Sequence, residues 1–104
     1  MENKIQNFNI VFRKDKKDGS ITAVFLDDKF NDDYKLTCYA HIGQHGGCCI
    51  SWLYHNTKPA KLSEYESLLK ELITIYNMNE KTNLTVKNKL PPYETTLELF
   101  RRRE

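Results

Sequence analysis

Residues 36–54 read LTCYAHIGQHGGCCISWLY, and how this stretch is divided decides the fold. Leu36, Cys38, Ala40 and Ile42 alternate with Thr37, Tyr39 and His41, the period of two that a strand imposes on its faces. Gly43-Gln44-His45-Gly46-Gly47 breaks that run, because three glycines in five residues allow a turn or bulge at little steric cost. Residues 48–54 resume the alternation, with Ile50, Trp52 and Tyr54 on one face. The stretch reads as two antiparallel strands joined by a glycine-rich turn.

Upstream, Phe8, Ile10 and Phe12 alternate with Asn9, Val11 and Arg13. A polar turn follows, Lys14-Asp15-Lys16-Lys17-Asp18-Gly19, and residues 20–26 are again β-branched and aromatic. This is a β-hairpin pattern. Residues 27–33 hold four aspartates and read as an acidic loop. Residues 8–54 therefore predict a four-strand antiparallel meander.

Downstream, Ser63 with Glu66 has capping-box spacing, and Tyr65, Leu68, Leu69, Leu72, Ile73 and Tyr76 recur at helical intervals. The pattern predicts a helix over residues 63–77, with Pro59 harmlessly ahead of it. Residues 83–90 and 94–102 read as two further strands around Pro91-Pro92-Tyr93. Tyr93, Leu97 and Phe100 also match a helix, but Thr95-Thr96 favours strand. The expected fold class is α+β: an antiparallel sheet of about five or six strands, β-β-β-β-α-β-β, with one helix packed on one face. Residues 1–104 make a single domain.

Composition narrows the function classes. One Trp, six Tyr and five Phe among 104 residues supply a real core at only 39% hydrophobic content. The formal charge of +2 and a pI near 8.4 fall short of a dedicated phosphate-gripping domain. No signal peptide or membrane-spanning run is legible, so no membrane partner is expected and the expected location is the cytoplasm. Cys38, Cys48 and Cys49 are an odd set, consistent with free thiols in a reducing compartment.

Cys38-x2-His41-x3-His45-x2-Cys48 is the strongest cluster of potential ligands. Zinc favours such donors, yet Cys38 and His41 lie three apart on a strand and point to opposite faces. No metal and no cofactor are expected. Cys48 or Cys49 with His41, His45 or His55 matches no thiol-enzyme signature, and histidine acid–base chemistry on RNA is equally unsupported, so no catalytic residue is assigned. The aspartates of residues 27–33 lack calcium-loop spacing.

The remaining reading is contact with a macromolecule. A sheet with one covering helix leaves its other face or an edge available, and Tyr39, His41, Gln44, His45 and Tyr54 are the expected contact residues. An RNA-binding alternative uses Lys16, Lys17, Arg101, Arg102 and Arg103, without any RNA-recognition motif. Self-association would use the same open sheet.

The segment Tyr39-Ala-His-Ile-Gly-Gln-His-Gly46, with Asn56-Thr-Lys-Pro-Ala60, Glu64-Tyr65-x2-Leu68-Leu69-Lys70-Glu71-Leu72, Phe12-Arg13-Lys14 and Ala23-x-Phe25, resembles a family of small phage and mobile-element proteins. They occur in Bacteroidota-type bacteria and carry no assigned reaction. The match covers roughly residues 8–75, and the stretch after Asn77 is longer than in typical members. Size and composition are also similar to anti-CRISPR proteins that inhibit the type VI-B RNA-guided RNase. That resemblance implies a partner, the host's CRISPR effector nuclease or its guide-RNA complex, whose guide use or target cleavage is blocked. It supplies no catalytic residue.

Overall fold

The chain alternates apolar and polar residues through its first half, and in the computed structural model, which describes residues 6–31, 34–40, 44–76 and 82–101, that half is sheet. Strands β1 (Gln6–Asp15) and β2 (Ile21–Asn31) form the predicted hairpin, pairing Ile10 with Phe25 and Phe12 with Ala23. Its loop is set by side chains. Asp15 Oδ1 accepts the Lys17 and Asp18 amides at 2.7 and 3.1 Å, and Gly19 takes a φ of 78° that glycine adopts without penalty. β3 (Lys35–Ala40) and β4 (Gln44–Cys49) continue the meander.

Several expectations are corrected. Residues 27–31 are strand, with register irregularities around Lys29, and not an acidic loop. The glycine-rich segment is likewise mostly strand, since Gly46 and Gly47 pair with Cys38 and Thr37. A Cβ at Gly47 would collide with the Phe30 ring, so glycine there admits the ring. Residues 50–54 leave the sheet as a short helix, α1 (Ile50–His55). Its buried residues are Ile50 and Leu53, three apart, which is the helical period.

β5 (Thr57–Pro59) then pairs with the Asp15 end of β1. Helix α2 (Leu62–Tyr76) is the predicted amphipathic helix. Its cap differs in detail: Glu64, not Glu66, reaches back to the Lys61 amide at 2.8 Å, and Ser63 lies inside the first turn. Glu64 also holds Lys14 Nζ at 2.5 Å, tying the helix start to β1. Its carboxyl is held below the usual range, chiefly by the Lys14 bond and then by the Lys61 amide.

β6 (Thr82–Lys87) runs parallel to β1, so the sheet is mixed and mostly antiparallel: among the described residues, six strands in the order β4-β3-β2-β1, with β5 and β6 sharing the far edge of β1. The C-terminal segment is helix α3 (Tyr93–Arg101), not the expected strand. Pro92 O receives the Thr95 and Thr96 amides at 2.9 and 3.3 Å and starts the helix where a proline nitrogen costs nothing. The fold is α+β as expected, with two more helices among the described residues than the periodicity suggested.

Those helices change what the sheet offers. Ile10, Phe12, Ala23, Phe25 and Tyr39 face Leu68 and Leu72 of α2. Val11, Val24, Leu26, Leu36 and Cys48 face the opposite way, where Ile50 and Leu53 of α1 and Phe100 of α3 cover them. Both faces are therefore packed, which corrects the expectation of one bare face. Among the described residues, no helix is long and apolar enough to cross a membrane.

Candidate functional site

With both sheet faces covered, the surface with most to explain is aromatic. Tyr34, between β2 and β3, is 46% exposed and takes φ = 61°, a left-handed conformation that costs a bulky residue about 1–2 kcal/mol. The neighbouring structure holds it there. Its carbonyl receives the Ile50 amide at 3.1 Å, and its ring packs on Phe100 with centroids 5.2 Å apart. Lys29 Nζ lies 5.5 Å from the Phe100 centroid, adding a cation to the cluster.

Across from Tyr34, α3 presents Tyr93, 37% exposed. Tyr93 meets Tyr54 edge-on at 5.1 Å and lies 6.1 Å from the His55 ring. Tyr34, Cys49, Ile50, Ser51, Tyr93 and Leu97 together line a groove of about 190 Å³. Sequence reasoning missed both Tyr34 and Tyr93. The available signal was a tyrosine flanked by aspartates and lysine, and another after two prolines, where burial is unusual.

The residues expected to make contacts divide among several environments. Tyr39 is fully buried beneath α2, its hydroxyl bonded to Glu71, so its ring is part of the core. Tyr54 is half-buried, and its hydroxyl donates to Pro91 O at 2.6 Å, with Thr96 Oγ1 at 2.7 Å. Burial raises its phenol pKa, partly offset by the Thr96 bond. His41 lies outside the described residues. Gln44 and His45 belong to β4, paired with Ala40 and Tyr39. The structure thus groups Tyr54 with the groove through Tyr93 and leaves Tyr39 in the core.

The basic residues do not form one strip either. Arg13 is buried, its Nε and a terminal nitrogen bonded to Thr57 Oγ1 and O at 2.9 and 3.0 Å. Desolvation lowers its pKa. Lys16 reaches His55 O at 3.3 Å, Lys17 is exposed at the hairpin tip, and Arg101 pairs with Glu94 at 3.4 Å. Arg102 and Arg103 lie outside the described residues.

Of the proposed zinc donors, Cys38 and Cys48 come together. They occupy adjacent strands on the α1/α3 side, and a cavity of about 470 Å³ is lined by both, with Cys49 and Trp52. The neighbouring Cys48 thiol, with help from the Gly46 backbone, lowers the Cys38 pKa against the effect of burial. The Cys38 thiol and then desolvation push Cys48 far upward. Among the described residues, no group of three or more His, Cys, Asp or Glu is placed to hold a metal.

A third cavity, about 300 Å³, lies between β6 and α3, with Leu26, Leu90 and Pro91 as apolar wall and Lys87 and Lys89 among its lining residues. Comparisons with protein-family models, with curated proteins and with solved structures found no match to this chain.

Proposed function

We propose that this chain is a binding protein whose contact surface is the aromatic groove between Tyr34 and Tyr93. The observation that carries this reading is Tyr34 itself, an exposed aromatic ring held at positive φ beside a concave apolar groove. A conformation that costs folding free energy, on a side chain that stays about half exposed, is an expected feature of a recognition element. Tyrosine suits such a role, because it offers large contact area with few torsions to freeze.

Other apolar groups are also exposed, notably Leu62, Ile73 and Ile75 on α2. They do not line any of the cavities described above. The groove gathers two rings from separate elements onto one concavity, and this favours it over the outer surface of α2.

For the partner, the sequence resemblance to anti-CRISPR proteins supports a host RNA-guided RNA-targeting nuclease or its guide-RNA complex. In this reading the chain acts by occupying the effector and blocking productive guide use or target cleavage. The test is titration of purified type VI-B effector, with and without guide RNA. The Tyr34→Ala/Tyr93→Ala double variant should lose roughly 30-fold or more in affinity, equivalent to about 2 kcal/mol. Ile73→Ala/Ile75→Ala should bind like the wild type. No binding of effector in either state would remove the proposed partner. Tight binding to bare RNA with a steep salt dependence would favour an RNA-binding module instead.

A further inference from the structure

Antiparallel pairing between β3 and β4 sets Cys38 opposite Gly46 and Cys48 opposite Leu36. Directly opposed residues share a sheet face, so the two thiols are diagonal neighbours on the α1/α3 side. Diagonal positions stand about 7 Å apart, whereas a disulfide needs Cα atoms within roughly 4.4–6.8 Å. The pair is therefore poorly placed to close on itself. A metal bridge is more forgiving, because each metal–sulfur bond adds about 2.3 Å to the span.

Room for an ion beside Cys38 comes from Gly46. A Cβ built on Gly46 would meet no atom within 4 Å, and it would project on the same face as the Cys38 side chain. That open space belongs to the side of the sheet where Cys38, Cys48 and Trp52 line the cavity of about 470 Å³. Both thiols lie on that side of the sheet and line that cavity.

We propose that Cys38 and Cys48 form a two-thiolate site for a soft monovalent cation of the Cu(I) class, seated in the space that Gly46 leaves open. Thiolates select soft ions. Two donors suit a low-coordinate monovalent ion, whereas structural zinc takes four ligands. No electron moves on binding: the cation enters as Cu(I), two metal–sulfur bonds form, and both thiol protons leave to solvent. Cys49 shares the cavity wall but is not a ligand in this site.

The test is anaerobic titration of the reduced full chain with Cu(I) against a chromophoric Cu(I) chelator. Thiolate-to-metal absorption in the ultraviolet gives a second readout, and circular dichroism checks that each variant is folded. The expected result is one equivalent bound by the wild type and by Cys49→Ser. Cys38→Ser and Cys48→Ser should each lose more than the roughly 10–100-fold that removal of an outer-shell partner costs. Gly46→Val keeps both thiols and fills open space, so it should stay folded and lose binding to a similar degree. Zn(II) should not compete at equal concentration.

Four results would overturn the assignment. They are a wild type that yields its copper fully to the chelator, a Cys49→Ser variant as impaired as Cys38→Ser, a Gly46→Val variant that binds normally, and effective competition by Zn(II).

Discussion

The two faces of the sheet are built differently. Under α2, the contacts are continuous and apolar: Leu68 and Leu72 meet Ile10, Phe12, Ala23 and Phe25, and the Phe12 ring stacks on Tyr65 at 4.2 Å with nearly parallel planes. Tyr39 adds one polar contact, to Glu71. The other face is covered by two short helices, and its buried residues include Arg13, Thr57 and Thr96. The aromatic groove, the thiol cavity and the β6–α3 cavity all involve residues of this side. One long helix covers the first face, whereas two short helices share the second. Both faces carry a buried core cluster, and the three cavities described above lie along the α1/α3 side.

Truncation in the core under α2 should expose the contrast most strongly. Leu72→Ala removes a fully buried side chain and should cost about 2–5 kcal/mol in urea unfolding. Leu97→Ala, on a half-buried residue beside the groove, should cost clearly less. Equal losses would mean that the two faces are equally well packed.

A smaller effect should follow from Thr96→Val on the α1/α3 side. Tyr54 keeps its bond to Pro91 O and loses only its contact with Thr96 Oγ1, so the cost should be about 1 kcal/mol by thermal or chemical denaturation. A loss several times larger would show that this pair organises the whole α1–α3 contact.

The smallest stability change belongs to Tyr34→Gly. Glycine relieves the positive φ while the ring's contact with Phe100 is lost, and the two should nearly cancel, within about 1 kcal/mol. Partner affinity should fall nonetheless. A large loss of stability would place Tyr34 among the structural residues.

What could be read from the sequence follows the same division. The β1–β2 hairpin and α2 were legible because each repeats its period several times and carries local punctuation, Asp15 with Gly19 in one case and the Leu68/Leu72 spacing in the other. α1 was not legible. Six residues satisfy a strand alternation through Ile50, Trp52 and Tyr54 as well as a helical spacing through Ile50 and Leu53.

In α3 the β-branched pair Thr95-Thr96 pointed to strand, but tertiary contacts outweighed that propensity. Pro92 caps the helix, and Thr96 is buried against Tyr54. The proposed contact surface was legible only in part. Tyr54 could be named from its neighbourhood, while Tyr34 required a positive φ that no pattern of residue types announces. The thiol pair depended on register: Cys38 and Cys48 meet because Ala40 pairs with Gln44, a detail of hairpin closure invisible to composition.

Which side of the molecule would meet the proposed partner is the central question. Amide hydrogen exchange of the chain, free and bound to the type VI-B effector, measures that directly. Added protection should concentrate at Tyr34, in Ile50–His55 and in Tyr93–Arg101, with α2 exchanging alike in both states. Protection confined to α2, with none at the groove, would contradict the proposed contact surface.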